Sequence, residues 1–143
     1  MKIISDKKFL HQVSSPVQKI NNYDVIKLVK EVRNQTCVSL SMCQIGKLER
    51  IFAMKFENSI LVFINPEIEY KFGRFKSIET CLSLPGQRYK VWRPRYVEVS
   101  AMNDTIQKFR FKAFGVYAAC MEHEIEHMDG ILLEDKEWIQ KLS

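Results

Sequence analysis

Apolar positions along the chain change their period several times, and each change predicts an element. Val25, Ile26, Leu28, Val29 and Val32 recur at helical spacing, and Asn21 or Asn22 is placed to cap such a helix. A first helix is therefore predicted over roughly residues 23–34. Arg50 to Lys55 reads as a short apolar strand, and Ser59 to Asn65 as a stronger one that Pro66 stops. Ile68 to Phe72 alternates and ends at Gly73. The stretch around Glu79 to Leu84 is strand-like and gives way to a Pro85-Gly86 turn. Tyr96 to Met102 alternates, Asn103-Asp104 reads as a turn, and Thr105 to Phe114 alternates again, so the last two strands form a hairpin. After Gly115 the period becomes helical. Val116, Ala119, Cys120, His123 and His127 fall on one helix face, which is predicted to point inward. Asp129-Gly130 stops that helix, and Ile131-Leu132-Leu133 lead into a short charged tail. The pattern is α+β: a strand-rich body with one helix before it and another near the end.

A chain of 143 residues suits one compact domain, here 1–143, with no repeat or linker to divide it. The longest apolar run, Ile60 to Ile64, is too short to span a membrane, and the start of the chain lacks a secretory signal. A cytoplasmic protein without a membrane partner is expected. In that compartment Cys37, Cys43, Cys81 and Cys120 read as reduced thiols, three of them packed side chains. The net charge of +5 is spread along the chain. Its densest basic stretch, Arg88 to Arg95, reads as a solvated loop or strand edge, and no direct nucleic-acid recognition is predicted.

The chemistry concentrates in His123-Glu124-Ile125-Glu126-His127. Histidines at i and i+4 sit one turn apart on the same side of a helix, where two imidazoles can bind one metal ion. A neighbouring carboxylate can move protons for a metal-bound water. The competing reading is a helix whose histidines are stabilised by Glu122, Glu124 and Glu126 on its wet side. A hydrolytic site usually needs a third protein ligand. The acids after His127 (Asp129, Glu134, Asp135 and Glu137) all lie close to it in sequence, so an upstream ligand is expected. Cys81 is the best upstream candidate, with a packed core thiol as the alternative. Helix geometry does not choose the base. Relative to His123, Glu124 lies about 100° to one side and Glu126 about 60° to the other.

Three segments, in order, resemble the peptide deformylase family, whose motifs are of the GxGLAAxQ, EGCLS and HExDH types. They are Cys37 to Gln44, Glu79 to Ser83, and His123 to His127 with Met128-Asp129-Gly130 directly after it. Connecting stretches, such as Leu61 to Glu67 and Val91 to Pro94, are similar too. The resemblance implies antiparallel or mixed sheets packed around a central metal-binding helix. It implies Cys81, His123 and His127 as ligands of one divalent metal, ferrous iron in the cell with zinc or nickel able to replace it. It makes Glu124 the general base and acid, and Gln44 and the backbone N–H of Leu82 the oxyanion donors. The substrates would be N-formylmethionyl nascent peptides, attacked by a metal-bound hydroxide to release formate. Val116, Ala119 and Cys120 are expected to line a methionine pocket, with Ser39 and Leu40 beside it.

The first segment departs from the family pattern. Cys37 and Ser39 replace its two glycines, and Ser41 and Met42 its two alanines. Cys37, Ser39 and an inward Met42 would narrow or reshape the substrate groove. Thr80 and Glu126 are further replacements, whereas Glu79 is retained. Only 13 residues come after Gly130, which argues against a ribosome-docking C-terminal helix and leaves at most a weak ribosome contact by a monomer. Short members of this kind point to a phage-encoded, organellar or otherwise divergent source. The alternatives to a deformylase are a related amidohydrolase with shifted acyl-peptide specificity, a non-enzymatic module that kept the fold, and an ordinary metalloprotease with a downstream third ligand.

Overall fold

The computed structural model describes residues 3–136 and 138–142, the latter as backbone. A short helix α1 (Lys7–Leu10) precedes α2 (Asn22–Asn34), which Asn21 caps by accepting from the N–H groups of Tyr23 and Asp24. Strands β1 (Ser39–Ser41), β2 (Ile51–Phe56), β3 (Ser59–Phe72), β6 (Tyr96–Met102) and β7 (Lys108–Phe114) form one sheet in the order β1-β2-β3-β6-β7. Strands β4 (Phe75–Cys81), β5 (Leu84–Arg93) and β8 (Trp138–Leu142) form a second, in the order β4-β5-β8. Every ladder is antiparallel. Helix α3 (Val116–Met128) comes after β7. The α+β expectation holds, in its antiparallel form.

Strand β2 and the first half of β3 are buried on both faces, which explains their unbroken apolar runs, whereas β7 and the end of β3 keep exposed positions. Ile51 and Ala53 pack with Val25, Leu28 and Val32 of α2. Their neighbours Phe52 and Met54 point the other way and pack with Ala118, Met121, Ile125 and Met128 of α3. Phe52 and Phe63 stack across the strand pair at 4.6 Å.

Several boundaries differ from the sequence pattern. Pro66 does not stop β3. Asn65 adopts a left-handed φ of 51°, the β3–β6 register shifts between Ile64 and Glu67, and the proline sits at that irregularity. Asn65 also exchanges two hydrogen bonds with the backbone of Val17, which offsets the unusual backbone. The turn after Cys81 is Leu82-Ser83, and Pro85 and Gly86 lie inside β5. Strand β7 starts at Lys108 because Asn103 accepts from the N–H groups of Thr105 and Gln107 and so closes a longer loop. The charged tail supplies β8.

The face of α3 also differs. The sheet-facing stripe is Ala118, Met121, Ile125 and Met128, whereas Val116 is exposed and only Ala119 and His127 of the predicted inward stripe are buried. Glu122 and Glu124 are buried, so the wet-side reading of these acids does not hold. The reason lies on β5, a central strand. Tyr89, Val91 and Arg93 alternate onto its buried face. Arg93 is therefore no solvated edge residue. Its side chain has no exposed surface, and it pairs with Glu79 of β4 at 2.8 Å and with Glu122 and Glu126 of α3 at 2.9 and 2.6 Å. Lys71 joins Glu122, and Lys136 joins Glu126. Three cations thus face three carboxylates. Burial alone would raise the Glu79 pKa, but hydrogen bonds from His123 and Arg93 hold it far below the carboxylate range. Glu122 is lowered in the same way, chiefly by Arg93 against the opposing effect of burial.

These contacts carry two stability predictions. Removing Arg93 (Arg93→Ala) takes from Glu79, Glu122 and Glu126 the buried cation they share, leaving only His123, Lys71 and Lys136 beside them, and should cost about 3–5 kcal/mol at neutral pH in urea unfolding. Because the folded pKa values of Glu79 and Glu122 are depressed, their contribution is complete above the unfolded value near 4.5 and fades as pH falls below it. The penalty should therefore shrink in acid, and a penalty independent of pH would contradict the pairing. At Gly130, φ is +75° and an added Cβ would lie 2.5 Å from the carbonyl oxygen of His11. At Gly86, φ is +76° and nothing lies within 4 Å. Gly130→Ala should lower Tm clearly more than Gly86→Ala, which carries only the backbone cost of about 1–2 kcal/mol.

Candidate metal centre

Cys81 ends β4, and its strand partner across the turn is Leu84. Helix α3 runs past this turn and presents His123 and His127 to it. The donor atoms of Cys81, His123 and His127 all lie within 4.8 Å of one another. Cys81 Sγ is 3.2 Å from His127 Nε2. A tetrahedral ion with ordinary metal–sulfur and metal–nitrogen bonds needs a sulfur–nitrogen separation of roughly 3.5 Å, so the donor set fits one ion with little movement. His123 Nδ1 lies 3.0 Å from Glu79 Oε1, which leaves its Nε2 for the centre. His127 Nδ1 is buried with no hydrogen-bond partner among the described residues.

The competing ligands are elsewhere. Asp129 pairs with Arg50, and Glu134 and Asp135 gather with His11 near the surface. Glu137 lies outside the described residues. Cys37, Cys43 and Cys120 are free thiols apart from the cluster. Burial raises their pKa values to about 11, 12 and 12, so they stay neutral near pH 7. Burial lowers the His127 pKa well below its usual value, with the charge of His123 acting in the same direction. For His123 burial also opposes the charged ring, but hydrogen bonds with Cys81 and Glu79 outweigh it and raise the pKa to about 10.

A pocket of about 300 Å³ opens onto this cluster. Its wall includes Cys37, Ser39, Leu40, Gln44, Leu82, Val116, Ala119, Cys120, His123 and Glu124, so the structure brings Ser39, Leu40, Val116, Ala119 and Cys120 together at one cavity. Val116 stands at its exposed rim. Met42 does not line it. That side chain is buried with α2 and the sheet, and cannot narrow the groove. A second cleft shares Thr36, Cys37, Thr80, Cys81 and Leu82 with the first and continues along Pro85 to Arg88.

The polar groups of the pocket are held in fixed orientations. Gln44 sits on a 3-10 turn (Met42–Ile45) that Ser41 starts. Its Oε1 accepts from the Ser41 N–H at 3.0 Å, which turns Nε2 toward Ser83 Oγ at 3.2 Å and Cys81 Sγ at 3.5 Å. Glu124 and Glu126 have separate surroundings. Glu126 is drawn to Arg93 and Lys136, whereas Glu124 faces the pocket and lies against Ser39 and Ser41. Sequence reasoning missed Arg93 and the Ser39 and Ser41 contacts. The alternation of Tyr89, Val91 and Arg93 was the available signal for the first. The second depends on β1 lying beside α3, which no local pattern encodes.

The model of the polypeptide deformylase family matches residues 2–142. A peptide deformylase of Clostridium botulinum is 39% identical over 99 residues, which cover 69% of this chain and 67% of the relative. The crystal structure of a peptide deformylase from Legionella pneumophila superposes with a TM-score of 0.89 at 28% identity, covering 94% of this chain and 83% of that one. The enzyme of the Vibrio parahaemolyticus bacteriophage VP16T, solved in complex with actinonin, gives a TM-score of 0.87 at 28% identity, covering 93% of this chain and all of that one. Such an enzyme implies a divalent metal and N-formyl peptide substrates, and the Cys81, His123 and His127 cluster is a group able to hold the metal. With the match extending over nearly its whole length, the chain belongs to the peptide deformylase family.

Proposed function

We propose that this chain removes the formyl group from N-formylmethionyl peptides, releasing formate and a free amino terminus, and that residues 1–143 form its one catalytic domain. One observation carries the reading: a thiol and two imidazoles converge beside a pocket whose wall also holds a buried carboxylate. Helix α3 is then the metal-binding helix. Cys81, His123 and His127 hold one divalent ion, ferrous iron in the cell, with zinc or nickel able to replace it. When bound, the ion acidifies a water and polarises the formyl oxygen.

The remaining work falls to the chain's own groups. Glu124 accepts the water proton and returns it to the leaving amine. Its position in the pocket supports this role over Glu126, whose carboxylate is engaged by Arg93 and Lys136. Gln44 Nε2 and the backbone N–H of Leu82 donate to the oxygen that gains charge, an effect of about 3 kcal/mol per donor. The Ser41 N–H holds Gln44 Oε1 and so keeps Nε2 beside Cys81, where one of its two protons turns from Ser83 or Cys81 to the oxygen that gains charge. Glu79 and Arg93 fix the ring of His123. Ala119 and Cys120, with Val116 at the rim, offer the methionine side chain an apolar wall, and the peptide runs past Ser39 and Leu40 toward the second cleft. Met42 lies in the core and Ser39 is turned to Glu124, which supports formyl-methionine over a shifted acyl specificity. A monomeric cytoplasmic enzyme, acting on nascent chains without membrane or nucleic-acid partners, completes the proposal. Among the described residues no helix is long and apolar enough to cross a membrane.

Protein loaded with iron, nickel or cobalt should release formate from formyl-Met-Ala, and actinonin should inhibit it. Absence of turnover at full metal occupancy would defeat the reading. Glu124→Gln should keep its metal and lose roughly 10²–10⁴-fold in kcat. A silent Glu124→Gln would instead leave the fold without catalysis by this residue.

A further inference from the structure

Two of the replaced positions in the first motif act together on the Glu124 carboxylate. Ser39 and Ser41 are alternate residues of β1 and so present their side chains on the same face of the strand. Ser39 Oγ donates to Glu124 Oε2 at 2.6 Å. Ser41 Oγ lies 2.7 Å from Glu124 Oε1 and 3.0 Å from the Glu124 backbone oxygen. A serine has one proton to give, and the nearer, charged acceptor takes it. Each carboxylate oxygen therefore has its own hydroxyl donor. Both distances are in the range of charge-assisted O–H to carboxylate bonds.

The positions differ in exposure. Ser41 is fully buried, whereas Ser39 lines the pocket. The family pattern has glycine where Ser39 stands and alanine where Ser41 stands, and neither offers a hydroxyl. A glutamate has three side-chain torsions, and a base that must meet one proton works from one rotamer. We propose that Ser39 and Ser41 are positioning residues that hold the Glu124 carboxylate in its working orientation, one hydroxyl to each oxygen. Ser41 fixes the carboxylate from the core side. Ser39 holds the oxygen on the pocket side. When that oxygen takes a proton, the Ser39 hydroxyl reverses its role and accepts where it had donated, because a hydroxyl can do both. The side chain at position 39 thus serves the base more than it obstructs the groove.

The functional half of this inference rests on Glu124 being the base. It is tested with metal-loaded Ser39→Gly, Ser41→Ala and the double variant, each checked for full metal content, beside Ser39→Thr, which keeps the hydroxyl. With formyl-Met-Ala, kcat should fall about tenfold in each single variant and by more in the double, with KM within about twofold of the parent. Ser39→Thr should recover most of the Ser39→Gly loss. A double variant with parental kcat, or a rise in KM alone, would overturn the proposal. Crystal structures of the parent and double variant provide a readout independent of turnover. Glu124 should occupy one conformer between the serines in the parent and more than one in the double variant. A parent Glu124 turned away from both serines would also overturn the proposal. A parent that orders Glu124 in this way but does not deformylate would defeat the deformylase reading and leave the clamp standing.

Discussion

A guanidinium cannot shed its charge, so an arginine with no exposed side-chain surface obliges the fold to bring carboxylates to it. Arg93 is that residue, and the rest of the structure is arranged around its partners. Glu79 reaches it from β4, two residues before Cys81. Glu122 and Glu126 reach it from α3, on either side of His123 and just before His127. The ion pairs therefore register strand against helix at the place where the thiol and imidazoles must converge. A buried charge left unpaired costs several kcal/mol. Other packings of these elements that separate Arg93 from its acids are disfavoured for that reason.

The same network sorts four acids by role. Glu79, Glu122 and Glu126 are neutralised by Arg93, Lys71 and Lys136. Glu79 passes the influence of Arg93 to His123 by accepting at Nδ1. Glu124, between the two histidines, is left to face the pocket and meets hydroxyls in place of cations. A carboxylate paired with an arginine is a poor proton carrier, because the pairing favours its charged form. The separation of Glu124 from Glu126 is thus electrostatic as much as angular. The neutral thiols of Cys37 and Cys120 extend the apolar wall without adding charge beside Cys81, His123 and His127.

Local patterns were legible in the sequence where local forces decide them. The capped α2, the β6 strand and the span of α3 are set by spacing, capping and a glycine boundary. Pro66 and Pro85-Gly86 misled because their effect depends on neighbouring strands. A proline at a β-irregularity costs no ladder bond, and a left-handed Asn65 supplied that irregularity. The tail pattern gave no sign of β8, since its strand character comes from pairing with β5. The buried face of α3 does not follow from spacing, because the helix lies against a sheet on one side and a pocket on another, so apolar and polar residues are buried together. The histidine pair was legible from spacing, and Cys81 from its motif. Arg93 and the serine contacts needed the tertiary structure, because each joins segments far apart in the chain.

The central claim is that one divalent ion is held by Cys81, His123 and His127. X-ray absorption on the iron- or zinc-loaded protein tests it most directly. The claim predicts one sulfur near 2.3 Å and two imidazole nitrogens near 2.0–2.1 Å for zinc, with the sulfur lost in Cys81→Ser. A shell without sulfur in the parent protein, or one unchanged by Cys81→Ser, would contradict it.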